Sequence, residues 1–389
     1  MPPHVAPSTS PASLPAWVTM ACVWVLYLPL GMQYLMFLGG GLFALGRLGR
    51  AAPLGQAARH PLFVCTLLFL ARMALSAAWS VASPGAIVSH LWHYGLPLCM
   101  LVLAATMRPN DARASLRHFV LISVAAVFVS MWWGADRLGG NQRIAFSVLL
   151  ALAAAIAVVE GLRIPAGWRQ RGAWNLAACL CTLGLVLQDR RTGMLVLPLL
   201  LLALVWVRLP SGWRRAAMLA VLLLSMAAIW YGSPSVQSRW EEGLQELQHY
   251  PSEGEVNTSM GMRLRLAEVS LRMLQDSPWF GHGVGSWLAL WRQQLPSGEL
   301  LALHTTPHND YLLVAVQGGA VGLALFLLAL GAYALAIRQR GRHADAAMLV
   351  WLTFVLSACV NVALRDAKLG LPLLILGAVS WAASRARPD

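Results

Sequence analysis

The sequence predicts an all-α protein that crosses a membrane many times and carries one large polar loop. Hydrophobic residues make up 58% of the chain and charged residues 12%, and the mean hydropathy is +0.62. This composition is typical of multi-pass membrane proteins and differs from that of a soluble domain. Apolar runs alternate with short polar connections, except between 232 and 308, where one long polar stretch separates two runs.

The apolar runs predict about twelve spanning helices, because a helix that crosses a bilayer needs about 20 apolar residues. The first run, 17–46, has Pro29 and Gly31 in its middle and is interpreted as two short helices. A single tilted helix is the alternative, and it gives eleven spans with the N-terminus outside. The other runs are 60–89 with Arg72 inside it, 91–107, 119–135, 144–159, 173–187, 192–207, 216–238, 311–337, 346–364 and 369–384.

The distribution of charge predicts which side of the membrane each part faces. Six segments together hold 17 arginines and four acidic residues, and this excess of 13 equals the net charge of the chain. By the positive-inside rule these segments face the cytoplasm. The basic pI therefore reflects orientation, and it gives no reason to expect nucleic acid as a partner. The segments are 47–59, 108–117, 160–172, 208–215, 338–345 and 385–389.

Three parts follow from this layout: about nine membrane helices in 1–231, an outer loop at 232–308, and about three membrane helices in 309–389. The loop is predicted to contain two amphipathic helices, because apolar residues recur there at helical spacing. Thr258 or Ser259 caps the second helix, and Pro278 stops it. The two stripes are Val236, Trp240, Leu244 and Leu247, then Met262, Leu266, Val269 and Met273. A tight turn is predicted at Gly281, Gly283 and Gly285.

Two adjacent arginines, Arg190 and Arg191, lie in an outer connection of a few residues. Positive charge on that side runs against the positive-inside bias. We therefore expect a phosphate-bearing ligand to compensate it. Pairing with Asp189 alone is the alternative.

Three further arginines are candidates for the same role. Arg72 lies inside an apolar run, where a charge costs at least about 2.5–3.5 kcal/mol, so it must face a cavity or a partner. Arg263 and Arg265 lie on the second loop helix. For Arg265 the alternative is a solvated pair with Glu268, three residues further along the helix.

The histidines differ in their settings. His308 lies where the loop enters the next apolar run, and an imidazole with a pKa near the working pH is suited to proton transfer; a structural interfacial histidine is the alternative. His304 comes four residues earlier, but Pro307 opposes a helix that would place both rings on one face. His90 and His93 are interpreted as part of an interfacial aromatic belt. No spacing of Cys, His and acidic residues predicts a metal site, and the six cysteines all lie in apolar runs, so no disulfide framework is expected.

Three strings resemble motifs of the bacterial O-antigen ligase superfamily. His308-Asn-Asp-Tyr-Leu, followed by Gly319-Ala-Val-Gly322, resembles its signature H-N-x-[YL]-L before a helix that ends in G-x-x-G. Arg265 with Asp276-Ser-Pro-Trp-Phe-Gly-His-Gly-Val-Gly resembles its basic helix and the D-x-P-x-x-G-x-G segment after it. Arg190-Arg191-Thr-Gly193 resembles its short arginine–glycine motif. The strings lie within 188–193 and 263–322.

The resemblance implies a GT-C-like glycosyltransferase in the inner membrane of a Gram-negative bacterium, surrounded by membrane lipid, with its active site facing the periplasm. The implied donor is an O-antigen glycan on undecaprenyl diphosphate, and in a ligase the acceptor is a sugar hydroxyl of lipid A-core. No cofactor and no metal ion are expected, and the chain has no D-x-D pair.

The resemblance also implies roles for particular residues. His308 is the expected general base, and the reaction is expected to be a single displacement with inversion. Arg191 and Arg265 are expected to hold the donor diphosphate, because guanidinium groups bind phosphate in a bidentate manner. Arg190 and Arg72 are expected to help them. The supporting residues are Arg263, His304 and Asp310, the last of these by orienting His308.

Other activities stay open at this point. O-antigen polymerases and protein O-oligosaccharyltransferases belong to the same superfamily and use the same kind of donor. A lipid-linked oligosaccharide flippase also needs arginines for a diphosphate. It is disfavoured because it should carry them in a central cavity and show internal two-fold symmetry, which the sequence does not display.

Overall fold

The computed structural model describes residues 13–48, 60–133, 143–162, 167–188, 190–208, 212–232, 234–253, 258–294, 304–340 and 344–385. Within these ranges the chain is helical and contains no β-strand, which confirms the predicted all-α class. Among the described residues, nine α-helices precede the polar segment: α1 Ala16–Trp24, α2 Leu30–Leu48, α3 Pro61–Leu75, α4 Pro84–Thr106, α5 Pro109–Trp133, α6 Arg143–Leu162, α7 Trp168–Leu187, α8 Arg191–Arg208 and α9 Trp213–Gly232. The described part of the polar segment contains α10 Pro234–Glu253, α11 Ser259–Asp276 and α12 Trp287–Gln293, and α13 Asp310–Arg338, α14 Asp345–Val360 and α15 Ala367–Ala383 come after it.

Five helical segments are long and apolar enough to cross a membrane, so the protein is of the multi-pass membrane class. They are α3 with the 3-10 turn after it, α4, α5, α6 and α13. Shorter apolar helices lie within α8, α9, α14 and α15. The total of twelve spans stays a prediction.

The first apolar run is divided into two helices, as its proline and glycine predicted. Helix α1 ends at Trp24 and α2 begins at Leu30, directly after Pro29. Gln33 is fully buried, and its Nε2 donates to the carbonyl oxygens of Leu26 (3.1 Å) and Leu28 (2.9 Å). The amide thus satisfies carbonyl groups that the break leaves without helical partners.

The polar segment contains the two predicted helices, α10 and α11, and a short third helix, α12, that the sequence did not predict. Thr258 caps α11, with its Oγ1 accepting from the backbone N–H of Gly261 at 3.0 Å. The apolar stripe of α11 is buried against α12 and the start of α13. The stripe of α10 is not: Leu244 is 54% exposed and Leu247 is 39% exposed. The apolar face of α11 therefore fixes this helix to the membrane helices.

Helix α13 is broken at Gly319, whose φ of 65° and ψ of −166° are not helical. The rings of Tyr311 and Phe326, on the two sides of the break, lie 5.8 Å apart. In a straight helix two residues fifteen positions apart are separated by about 22 Å. The first piece of α13, 310–318, is therefore folded back beside the second piece. This fold places the first turn of α13 next to α14 as well, since the Tyr311 hydroxyl donates to the carbonyl of Val355 at 3.2 Å.

Candidate active site

The segment 277–286, here called the junction loop, pairs with the broken part of α13 through the backbone. Breaking a helix leaves N–H and C=O groups without partners, and inside a membrane protein these must be satisfied by other protein groups. The junction loop supplies them in both directions. The bonds run from His282 N to Val316 O (2.9 Å), from Gly283 N to Gln317 O (2.9 Å), from Ala320 N to Pro278 O (2.8 Å) and from Val321 N to Trp279 O (3.3 Å).

Two glycines make this close approach of backbone to backbone possible. Gly281 and Gly319 both have a φ of 65°, in the left-handed region that favours glycine. A Cβ atom on Gly281 would lie 2.5 Å from the nitrogen of Gly319, and one on Gly319 would collide with the carbonyl group of Trp279. The predicted tight turn at the glycines is confirmed, and its physical reason is contact with α13.

Arg72 connects α3 to the same junction through hydrogen bonds. Its Nη2 donates to the carbonyl oxygens of Phe280 (2.9 Å) and Gly318 (3.1 Å). Its guanidinium carbon lies 5.0 Å from the ring centroid of Trp79 and 5.8 Å from that of Phe280, a distance at which a cation and an aromatic face attract. The partner that the sequence required for this intramembrane arginine is therefore the broken backbone. A contact of Arg72 with a diphosphate stays a prediction; its Nη1 atom is buried and has no hydrogen-bond partner among the described residues.

Further polar contacts that the sequence did not reveal hold the junction. Ser76 Oγ accepts from Val284 N (3.0 Å), and Ser80 Oγ donates to Val284 O (2.7 Å). Tyr94 and Gln317 are both fully buried, and the Tyr94 hydroxyl donates to Gln317 Oε1 at 2.8 Å. The sequence does not reveal this bond, because Tyr94 and Gln317 lie 223 positions apart in the chain.

His308 lies directly before α13, in an unusual backbone conformation. Its φ is 52°, and it is the one non-glycine residue with positive φ among those described. Asn309 fixes this position: its Oδ1 caps α13 by accepting from Leu312 N at 2.9 Å, and its Nδ2 donates to Cys359 O at 2.8 Å. The asparagine thus holds His308 between α13 and α14.

His304 meets His308 although the two do not share a helix. The segment 304–309 is not helical, as Pro307 predicted. The Nε2 atom of His308 nevertheless lies 3.4 Å from the Nδ1 atom of His304, and the ring centroids are 5.5 Å apart in an edge-to-face arrangement.

The electrostatic environment of His308 corrects one expectation from the sequence. Burial, then the positive charge of Arg263 and then His304 lower the pKa of His308 to about 4. The predicted pKa near the working pH is therefore wrong, because sequence alone gives neither the burial nor the arginine. His308 is a neutral imidazole at neutral pH, with a nitrogen lone pair available to accept a proton.

The two arginines of α11 are separated by the geometry of the helix. Residues two positions apart on a helix point about 200° away from each other. Arg265 Nη1 lies 3.1 Å from Glu268 Oε2, in the ion pair that was the alternative interpretation, and Glu268 also pairs with Arg272. The positive charge of Arg263 is among the causes that lower the pKa of His308. The sequence favoured Arg265 as the more important member of the pair.

Asp310 has a partner other than His308. Its side chain is fully buried, and Oδ2 accepts from the backbone N–H of Leu364 at 3.0 Å. No hydrogen bond joins Asp310 to His308 in the described part of the chain. The carboxylate instead fixes the start of α13 to the connection between α14 and α15.

The arginine pair lies at the start of α8. Arg191 is the first residue of that helix, while its side chain and Asp189 lie outside what the structure describes. The Nε atom of Arg190 is buried and has no hydrogen-bond partner among the described residues. A Cβ atom on Gly193 would lie 2.7 Å from the carbonyl oxygen of Ser147, so this glycine lets α8 approach α6 closely.

Within the described ranges, no group of three or more His, Cys, Asp or Glu side chains is placed to hold a metal ion. The metal independence of any reaction at this site stays a prediction.

The fold and the site define a class: a helical multi-pass membrane protein in which a polar segment brings an arginine to a histidine at the start of a broken helix. Residues 176–327 match the family described as O-antigen ligase. The matched segment contains the arginine pair, α11, the junction loop and the break in α13, so this part of the chain is similar to the O-antigen ligase family. No curated protein matches the chain.

Proposed function

We propose that this protein is an O-antigen ligase, which moves an O-antigen glycan from undecaprenyl diphosphate to a sugar hydroxyl of lipid A-core. The observation that carries the proposal is the half-buried His308 directly before the broken helix α13, under the positive charge of Arg263 and within the segment that matches the family. A base for a hydroxyl group and a cation for a departing phosphate are the two groups that this transfer needs.

His308 acts as the general base in this proposal. Its ring removes the proton from the acceptor hydroxyl as the oxygen attacks the anomeric carbon of the donor glycan. General base catalysis of this kind contributes about 10²- to 10⁴-fold to a rate. One displacement inverts the configuration at the anomeric carbon, so the product is expected to have the anomer opposite to that of the donor.

Arginines stabilise the departing diphosphate. Negative charge grows on its oxygen as the glycosidic bond breaks, and fixed cations aimed at that charge lower the barrier. Arg191 and Arg265 are the proposed diphosphate ligands, with Arg190 and Arg72 as helpers. Arg265 exchanges its exposed carboxylate partner Glu268 for phosphate, which costs little because surface ion pairs are weak. Arg263 joins the set because its positive charge acts on His308.

The proposed site faces the periplasm from the inner membrane. This orientation rests on the charge distribution, since the cytoplasmic segments hold 17 arginines and the positive-inside rule places them in the cytoplasm. It also rests on a layout of twelve spans, GT-C-like in arrangement, with both termini inside.

The purified protein with a lipid-linked glycan donor tests the function directly when three acceptors are offered in parallel. The acceptors are lipid A-core, a second lipid-linked glycan and a serine-containing pilin. We expect lipid A-core to be modified, and to be modified in the presence of a chelator. Modification of the second glycan or of the pilin instead would assign a polymerase or a protein transferase and contradict the ligase proposal.

A further inference from the structure

The ring of His308 has a specific neighbour that the proposed reaction does not yet use. His308 Nε2 lies 3.4 Å from His304 Nδ1, and the two rings meet edge to face at 5.5 Å. A histidine that acts as a base needs a second group on its other nitrogen, because that group selects the tautomer and orients the ring. The nearby carboxylate of Asp310 is engaged by Leu364 N instead. His304 occupies the position that a carboxylate holds in a catalytic triad.

The charges around His308 make a protonated ring costly. Burial and the guanidinium of Arg263 on α11 both disfavour the imidazolium form of His308. His304 is half-buried, and burial alone is the cause of its lowered pKa. Arg263 therefore opposes a positive charge on His308, and it is not among the causes of the lowered pKa of His304.

The backbone is shaped to bring these two rings together. Pro307 keeps 304–309 out of a helix, and the left-handed conformation of His308, with φ 52°, turns its ring back toward His304. Asn309 holds this geometry through its bonds to Leu312 N and Cys359 O. A non-glycine residue in this region costs free energy, and such strain is found at functional sites.

We infer that His304 is the positioning residue of His308: it accepts the Nε2–H of His308 and takes over the positive charge during transfer. This inference rests on the proposed function. The acceptor oxygen bonds to the anomeric carbon while its proton moves to Nδ1 of His308. The bond from that carbon to the diphosphate breaks, and its electron pair leaves on the phosphate oxygen. The Nε2 proton of His308 moves to Nδ1 of His304. After product release the Nδ1 proton of His308 goes to water, and His304 returns the other proton to Nε2.

The test compares His304→Ala with Thr305→Ala, a matched truncation of the exposed neighbouring residue. We expect His304→Ala to lower kcat for glycan transfer by about 10- to 100-fold, a fraction of the effect of a general base, with the KM for the lipid-linked donor within about twofold of wild type. Thr305→Ala should behave as wild type. His304 is partly exposed, so the space left by the alanine is accessible to a small molecule. Added imidazole should therefore raise the transfer rate of His304→Ala at least about tenfold, and it should not raise the rate of Thr305→Ala.

The outcomes separate this inference from the function on which it rests. A His304→Ala enzyme within twofold of wild type, or a loss that imidazole does not restore, would overturn the role of His304 and leave the ligase proposal standing. A wild-type protein that transfers no glycan to any acceptor would overturn the proposed function itself.

Discussion

At the scale of single residues, the environment of His308 decides its chemistry. The motif around His308 was sufficient to select it from the sequence. Its protonation state was not predictable, because that depends on burial and on the charge of Arg263, about 45 positions earlier in the chain. The same holds for the arginine pair on α11, where Arg265 pairs with Glu268 and the positive charge of Arg263 acts on the histidine.

The lowered pKa of His308 gives a prediction for the pH dependence of transfer. A base with a pKa of about 4 is deprotonated throughout the range from neutral to mildly acidic pH, and it is lost only as the pH falls through that value. We therefore expect kcat/KM to change by less than about twofold between pH 8 and pH 6, and to fall in more acidic solution. A kinetic inflection between pH 6 and 7, the range of an unperturbed imidazole, would contradict the environment described for His308.

At the scale of elements, the site depends on the broken helix α13 and on the junction loop, which forms hydrogen bonds with the backbone groups at the break. The apolar run 311–337 was read from the sequence as one continuous span. Two adjacent glycines inside an apolar run do not reveal a reversal, since the partners that stabilise it come from the junction loop and from Arg72 on α3. The helices α10 and α11 were predictable from their periodicity, whereas α12 has only seven residues and too few turns for a periodic pattern.

The junction predicts opposite outcomes for two glycines of the same helix. Gly319→Ala would place a methyl group against the carbonyl of Trp279 at a backbone φ of 65°, so we expect a loss of about 1–3 kcal/mol or more of stability and a large loss of transfer activity. Gly331→Ala has open space around the new methyl group and should be neutral or stabilising by up to about 1 kcal/mol.

Thermal unfolding of the two purified variants in detergent measures this difference. An unfolding midpoint of Gly319→Ala equal to that of Gly331→Ala would show that the break in α13 does not depend on the glycine.

At the scale of the whole molecule, hydropathy predicted the helical membrane class, and the orientation that the charge distribution indicates stays a prediction. The sequence predicted both the all-helical class and the division of the run 17–46 into α1 and α2. Both were predictable because apolar runs and a central proline determine structure locally. The packing of these helices against one another was not predictable from the sequence. Close approaches such as that of Gly193 to Ser147 join residues far apart in sequence.

The predicted orientation can be tested by cysteine labelling from one side. In a cysteine-free background, Thr305→Cys lies beside the site and Arg169→Cys lies in a segment assigned to the cytoplasm; both positions are exposed. A membrane-impermeant maleimide added to spheroplasts should label Thr305→Cys at once and Arg169→Cys only after lysis. The reverse pattern would place the site in the cytoplasm, where the proposed acceptor is not modified.

The central claim is that the neutral imidazole of His308 accepts the proton of the acceptor hydroxyl. Glycan transfer to lipid A-core by purified His308→Ala, compared with His118→Ala on the membrane helix α5, tests it most directly. We expect His308→Ala to lose at least about 10²-fold in kcat while it still binds the lipid-linked donor and stays monodisperse, and His118→Ala to transfer at the wild-type rate. Transfer by His308→Ala at a rate close to that of His118→Ala would contradict the claim.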